Sequence, residues 1–364
     1  MARDHGFHEA RIVRVVDETP DTRTYVLDVP DVPFGYRAGQ FVTFRIAGTM
    51  RSYSMSSSPD TDVELMTTVK RVPGGLVSNW MHDNLAAGDL VEVTLPTGVF
   101  CLRETDAPLV AFAGGSGITP VISLAKSALA TSERTVRLLV ANRDAESVIF
   151  RAALDELAGR YPGRLEVRHH LDTVSGLVTK AEILDFTGLP AASGDSVADH
   201  GVADHGAGDF YLCGPVPFMD LAERVLLAQG VPAEDIFVER FAVDDEPVDG
   251  AVGAAVPVGA GQAAEGGTGA ADSGGTITIV LDGKRTSVAR TAGITLLQSA
   301  RRAGLSPPFS CEAGNCATCI GRVTAGEVKM RINNALDDDE VADGWVLTCQ
   351  SDPVTPDVTI VYED

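Results

Sequence analysis

Four of the six cysteines in this 364-residue chain gather near its C-terminus: Cys311, Cys316 and Cys319 in SCEAGNCATCI, and Cys349 in VLTCQ. No other feature constrains the fold as strongly. Four thiolates converging on one centre need a tight loop carrying three of them and a second segment returning the fourth. Small residues dominate between the first three, and Gly314 and Asn315 tolerate the positive φ such a loop demands. The spacing C-x4-C-x2-C with a distant fourth cysteine is the plant-type 2Fe–2S arrangement. Zinc is the rival occupant, but structural zinc usually takes two short C-x2-C pairs, and one is present here.

The N-terminus MARDHGFHEARIV lacks the basic stretch and apolar core of a secretory signal, and no apolar run reaches a membrane-spanning length. A cytoplasmic protein without membrane insertion is expected, and structural disulfides are disfavoured there. The net charge of −22 argues against nucleic acid as a partner, since phosphate binding rests on basic patches. The same charge serves solubility, or steers a basic protein partner.

Composition then divides the chain. Residues 243–275 are rich in Gly and Ala, without aromatic residues or apolar periodicity, and read as a flexible linker. It serves as a passive spacer or as a tether for the cysteine-bearing module at 276–364. Residues 1–105 show short β-like runs (RIVRVVDE, TRTYVLDV, QFVTFRI, VELMTTVKRV, LVEVTL) broken by turn residues, with one helical stretch, GLVSNWMHDNL. They predict a small antiparallel barrel. Over 106–242 strands such as PLVAFA, VRLLVAN, RLEVRHH, DFYLC and DIFVERF alternate with helices predicted at TPVISLAKSALA, SVIFRAALDELAGRY and PFMDLAERVLLAQ. That alternation predicts a parallel sheet covered on both faces. A direct repeat, VADHG at 197–201 and 202–206, reads as slippage in a tolerant surface loop. His169 and His170 read as structural or surface groups.

Four further motifs carry chemistry. In RSYSMSSSP, Arg51 can clamp a phosphate, Tyr53 lies on the same strand face and can stack on a flat ring, and Ser54 can hydrogen-bond ring heteroatoms. In GGLVSNWM, Gly74 and Gly75 let backbone approach a phosphate that Ser78 meets at a helix N-terminus. In FAGGSGITP, Gly114, Gly115 and Gly117 form a strand-to-helix turn whose amides can face a pyrophosphate, with Thr119 as a cap or ligand contact. LCGPVPFM ends another strand at the sheet edge where ligands gather, placing Cys213 in the same crevice as Thr119. Its alternative reading is a small buried hydrophobe.

R-S-Y-S, G-G-S-G-I-T-P, C-G-P and the cysteine tail, in this order, resemble the ferredoxin–NADP reductase superfamily, and within it oxygenase reductases with a C-terminal plant-type 2Fe–2S domain. KSALA, VANRDAESVIF, CGPVPFM and CQSDPVTPDVTIVYED resemble the reductases of 3-ketosteroid 9α-hydroxylases, with phenylacetyl-CoA epoxidase reductases near in pattern. The resemblance implies a β-grasp fold for the last module, an antiparallel flavin barrel and an α/β nucleotide domain. It implies that Arg51, Tyr53 and Ser54 hold a flavin. Ser78 and its neighbours then take the flavin pyrophosphate. Residues from Gly115 to Thr119, with Cys213, Gly214 and Pro215, line the nicotinamide site, where Ser54 and Cys213 stand nearest the chemistry. Phe241 falls where an aromatic covers the flavin's other face. FAD is favoured over FMN, as GGLVS resembles members with the longer cofactor. NADH is favoured over NADPH because Asp144 can accept from a ribose hydroxyl, although Arg143 beside it suits a 2′-phosphate. The expected protein is a monomeric NADH-dependent reductase passing single electrons through FAD and the cluster to a Rieske-type terminal oxygenase. The alternatives are a diiron oxygenase or desaturase as partner, or a redox module without turnover. Replacing a cluster ligand tests the assignment: Cys316→Ser is expected to abolish cluster absorbance while flavin content and flavin reduction by NADH persist. Full cluster content in the variant would refute it.

Overall fold

Side chains of a β-strand alternate between faces, so a strand apolar at every position has to be covered on both sides. The stretch LVAFA meets this condition, and around it the larger unit is organised. The structure, a computed structural model, describes residues 7–30, 34–46, 49–189, 208–241, 275–281, 283–291, 293–305, 307–309, 314, 317–333 and 335–362. Of the expected linker at 243–275 all but Gly275 lies outside the described residues, as do the VADHG repeat, Cys311 and Cys316. The chain separates into two compact units, one ending at Phe241 and the other beginning beyond it.

In the first unit, β1 (Phe7–Thr19), β2 (Thr22–Asp28), β3 (Phe41–Ile46), β4 (Thr49–Ser54), β5 (Leu65–Lys70) and β6 (Leu90–Thr94) form an antiparallel sheet of order β4-β3-β6-β1-β2-β5. Its outer strands meet through a bridge between Met55 and Thr67 and through the Ser56 amide donating to the Met66 carbonyl at 2.8 Å, which closes the barrel. Tyr25, Phe44, Met55 and Val93 fill the interior, and helix α1 (Leu76–Asn84) packs on it through Val77 and Met81.

The parallel sheet follows, with order β11-β10-β7-β8-β9: β7 (Leu109–Gly114), β8 (Val136–Asn142), β9 (Leu165–Leu171), β10 (Asp209–Cys213) and β11 (Ile236–Glu239). Alternation along β7 sends Leu109, Ala111 and Ala113 to one face, under α2 (Ile118–Thr131) and α3 (Arg151–Arg160). Val110 and Phe112 point to the other face, under α5 (Lys180–Thr187) and α6 (Val216–Ala228). The short helix α4 (Asp172–Ser175) follows β9. Two expectations need correction. The segment SVIFRAALDELAGRY becomes helical only at Arg151, because Phe150 turns the chain with φ 60°. Helix α5 was absent from the expected elements, yet Thr179 and Glu182 form a reciprocal capping box at its start.

Barrel and parallel sheet belong to one unit and share a polar seam. Ser123 Oγ donates to the Ser57 carbonyl at 2.6 Å, the Ser58 and Ser127 hydroxyls lie 2.8 Å apart, and Lys126 pairs with Asp62 at 2.9 Å. Deeper, the Asp209 carboxylate receives Arg134 at 2.6 Å, Thr105 at 2.6 Å and Arg103 at 3.2 Å. Asp209 and Arg134 have side chains only 2% and 1% exposed.

The second unit carries β12 (Thr276–Leu281), β13 (Lys284–Ala289), β14 (Ile320–Ala325), β16 (Trp345–Leu347) and β18 (Val358–Val361) in the order β13-β12-β18-β14-β16. A separate pair joins β15 (Val328–Met330) to β17 (Ser351–Pro353). Helix α7 (Leu296–Arg302), started by a Thr295–Gln298 capping box, sends Leu296 into the sheet core and Leu297 toward Cys319 and Cys349. DDDEVADG contains helix α8 (Asp338–Ala342), again opened by a capping box, from Asp337 and Glu340. Among the described residues no helix is long and apolar enough to cross a membrane.

Asp209→Ala is expected to cost roughly 3–5 kcal/mol, because it strands the Arg134 charge away from water. Urea unfolding followed by circular dichroism measures this, and an unchanged midpoint would show that the pair holds nothing together.

Candidate functional site

The barrel closes immediately after Ser54, so R-S-Y-S occupies the last turn of an edge strand beside its seam. Arg51 lies opposite Phe44 and Tyr53 opposite Val42 across β3, which puts both on one side of β4. The Tyr53 ring meets the Phe44 edge at 5.8 Å and 72°, and burial raises its phenol well above the ordinary value. Burial also lowers Arg51, whose Nη1 donates to the Met50 carbonyl at 3.0 Å. Ser54 is 3% exposed, and its hydroxyl has no partner among the described residues. A buried orphan hydroxyl beside a half-buried Arg and Tyr fits a ring with hydrogen-bonding edges.

The second motif bends between β5 and α1. Gly74 has φ +75° with open space around it, and Gly75 starts the helix without any side-chain cap. The first amides of α1 therefore remain available to an anion. Ser78 is already used: its hydroxyl accepts from the Val72 amide at 3.1 Å, which leaves the hydroxyl proton to donate.

The third motif does something the sequence did not disclose. A Cβ on Gly117 would lie 2.0 Å from the Cys213 carbonyl oxygen. A Cβ on Gly114 would lie 2.6 Å from Pro215 Cδ. Gly214, at φ +157°, packs its own Cα side on Gly114. These three glycines let the turns after β7 and β10 press backbone on backbone. Gly115, at φ +53°, has an outward face, and the nearest atom to a Cβ there is Lys70 Nζ of β5, at 3.7 Å. Thr119 is buried, and its hydroxyl donates to the Ser116 carbonyl at 2.9 Å, bracing the turn.

Around that edge, Cys213 is fully buried in the core. Burial pushes its thiol well above the ordinary value, so it is a neutral, unreactive group. Glu239, in register with Cys213 on β11, brings a carboxylate to the same edge and adds to that shift. The sequence reading did not single it out; its register with Cys213 is a property of the sheet. Phe241 packs half-buried against the core beyond β11. Asp144 is committed locally. One oxygen accepts from the Ser147 amide at 2.9 Å and the other from Arg143 at 2.8 Å. The Arg143 guanidinium holds the carboxyl below its ordinary value.

In the second unit, Cys319 precedes β14 and Cys349 sits in a single helical turn, Thr348–Gln350, just past β16. Ile320 pairs with Leu347 across β14 and β16, and Thr348 donates both its amide, at 3.1 Å, and its hydroxyl, at 2.7 Å, to the Cys319 carbonyl. Both cysteines are buried among Leu297, Leu336 and Leu347. Gly314 has φ +78° as expected. A second left-handed residue in this loop is Ala317, at φ +51°, a conformation that costs a non-glycine residue energy and needs outside support. The Thr318 hydroxyl is buried without a partner among the described residues. A strained loop with an orphan donor beside two buried thiols fits a cluster whose sulfurs accept hydrogen bonds.

Family models match the chain in three consecutive stretches: an oxidoreductase FAD-binding domain over residues 9–101, an oxidoreductase NAD-binding domain over 112–224, and a 2Fe-2S iron-sulfur cluster binding domain over 279–354. The chain is 38% identical to the 3-ketosteroid-9-alpha-monooxygenase ferredoxin reductase component of Mycolicibacterium smegmatis, covering 98% of this chain and 97% of that one. It is 33% identical to the glycine betaine monooxygenase reductase of Pseudomonas aeruginosa, covering 98% of this chain and 96% of that one. The crystal structure of phthalate dioxygenase reductase shares the fold, with a TM-score of 0.60 at 22% identity over 99% of both chains. The three-part architecture expected from sequence, barrel, parallel sheet and ferredoxin module, is the one these comparisons support.

Tyr53→Ala and Ser54→Ala are each expected to weaken flavin retention roughly tenfold, through a lost ring contact or a lost hydrogen bond. Flavin-to-protein ratios after gel filtration check this, and unchanged ratios would remove both residues from the flavin site.

Proposed function

This chain belongs to the family of oxygenase reductase components with FAD-binding, NAD-binding and 2Fe–2S domains, and from that premise we propose which of its residues do the work. It is an NAD(P)H oxidoreductase of the electron-transfer type. A flavin supplies the conversion of a two-electron donor into single electrons, and a 2Fe–2S cluster carries them one at a time.

Arg51 is the phosphate clamp, Tyr53 the ring contact and Ser54 the donor to the ring edge. Gly74 and Gly75 keep the approach to α1 open, and the first amides of the helix with the Ser78 hydroxyl meet a pyrophosphate. Gly115 presents the outward amides of the Gly-rich turn. Gly114, Gly117 and Gly214 keep that turn in place, and Thr119 braces it. Cys213 and Pro215 form the wall beside the nicotinamide, with Cys213 as a neutral contact and not a nucleophile. Phe241 shields the flavin's far face. Each Asp144 oxygen keeps a second lone pair for a ribose hydroxyl, which favours NADH. Cys311, Cys316, Cys319 and Cys349 are the cluster ligands.

The observation that carries this reading is Lys70. From β5, which closes the barrel next to Ser54, its ammonium reaches the outward face of Gly115. The strand end suited to a flavin and the turn suited to a dinucleotide are thereby neighbours within one unit. The terminal partner is an oxygenase, of the Rieske-type 3-ketosteroid 9α-hydroxylase kind, and the reductase works as a cytoplasmic monomer.

The test is an anaerobic titration of the purified protein with NADH and, separately, NADPH, followed by visible absorbance and low-temperature EPR. Flavin bleaching followed by a reduced 2Fe–2S signal, at lower NADH than NADPH concentration, is expected. A cluster that stays oxidised while the flavin bleaches would refute the electron path.

A further inference from the structure

Where the barrel faces the glycine-rich turn, Lys70 already has an anion beside it. Its ammonium lies 3.7 Å from Asp21 Oδ2, and the two side chains are 27% and 33% exposed, so water screens the pair only in part. At that separation the contact is an ion pair and not a hydrogen bond, which leaves the ammonium protons uncommitted to Asp21. The same nitrogen stands 3.7 Å from the place where a Gly115 side chain would begin. Lys70 is therefore shared between a carboxylate of the barrel and the open face of the glycine turn.

Asp21 is fixed by its surroundings. It occupies the turn between β1 and β2, and its Oδ1 accepts from the Thr19 hydroxyl at 2.8 Å and the Thr22 hydroxyl at 3.1 Å. Its carbonyl accepts the Arg71 amide at 2.7 Å, and Thr22 is aligned with Lys70 across β2 and β5. Strand register thus puts the carboxylate beside the lysine. Burial opposes ionisation of Asp21, yet Thr19, Lys70, Thr22 and, from the parallel sheet, Arg143 together hold the carboxyl below its ordinary value. Lys70 on the barrel and Arg143 just past β8 therefore act on one barrel carboxylate. Arg143 has its own close partner in Asp144, at 2.8 Å.

We propose that Asp21 is a positioning residue that acts through Lys70: it keeps the ammonium at the glycine turn as a resident counter-ion, from which the pyrophosphate of the dinucleotide has to draw it away. The carboxylate is thereby a brake on nucleotide affinity. Two physical points give the sign. Oδ1 is tied by two hydroxyls, so Asp21 is not free to retreat from an incoming phosphate. A pyrophosphate offers the ammonium charge-assisted hydrogen bonds that a carboxylate at 3.7 Å does not, but its own negative charge meets that of Asp21. An affinity held in check lets the spent nucleotide leave, which repeated turnover requires. This rests on the reading of that edge as the dinucleotide site.

The test is calorimetric titration of the FAD-loaded protein with NAD+ at roughly 0.05 M and 0.5 M salt. Asp21→Asn keeps an oxygen for Thr19 and Thr22 and removes the charge. It is expected to tighten NAD+ binding roughly three- to fivefold at low salt, the worth of one partly exposed ion pair, with a smaller gain at high salt. Asp21→Ser, a second neutral variant, should tighten binding in the same direction, whereas mere damage to the turn would weaken it. Lys70→Gln is expected to weaken binding roughly tenfold, and in that background Asp21→Asn should change affinity by less than about twofold. Unchanged or weaker binding by both Asp21 variants, or the full gain persisting once Lys70 is replaced, would overturn the brake while leaving the dinucleotide site intact. Absence of NAD+ binding by the parent and by both Asp21 variants would overturn both.

Discussion

The C-terminal edge of the parallel sheet depends on a contact in which no side chain takes part. The turn after β7 and the turn after β10 meet backbone to backbone, with the Cys213 carbonyl oxygen where a Gly117 side chain would begin. Any substituent there separates β7 from β10 at their C-terminal ends. With the contact made, the first turn of α2 points out of the sheet with its leading amides uncapped by any side chain. Gly115, pushed to positive φ, then faces Lys70 across from the barrel. The glycine-rich turn thus has two duties carried by different residues. Gly114 and Gly117 give way to a neighbouring chain segment, and Gly115 leaves its outward side open toward Lys70.

The barrel meets that edge through polar contacts. Ser57 and Ser58, directly after the R-S-Y-S strand, bond to Ser123 and Ser127 on the helix that the glycine turn starts. Hydrogen bonds of defined length fix the seam more sharply than apolar packing, which tolerates sliding. The buried Asp209 carboxylate sets the opposite end of the sheet, drawing Arg134 and the Arg103–Thr105 connection onto the first residue of β10. A buried ion pair adds little net stability but penalises arrangements that leave either charge alone.

Each of the two candidate cofactor sites holds a buried hydroxyl without a partner among the described residues. These belong to Ser54 at the barrel seam and Thr318 in the cysteine loop. Folded chains rarely tolerate this, because a buried unpaired hydroxyl forfeits its hydrogen bonds to water. Ala317 beside Thr318 adds backbone strain at the same place.

The amino-acid sequence by itself determined the parts whose physics is local. The C-x4-C-x2-C spacing is set by covalent connectivity, and the switch from period-two alternation to alternating strands and helices marks where barrel gives way to parallel sheet. Helices α5 and α8 were legible too, through Thr179-x-x-Glu182 and Asp337-x-x-Glu340, but each is short, so periodicity alone passes over them. What only the tertiary structure decided are relations between residues far apart in the chain. The division of labour among the glycines depends on where β10 ends. The commitment of Asp144 to Arg143 and Ser147, and of Ser78 to Val72, depends on how each turn closes. The enclosure of His170 depends on α5 folding back over β9. Sequence spacing carries which groups are present, whereas burial and partnership arise only when distant segments pack, and those two quantities set what each group can do.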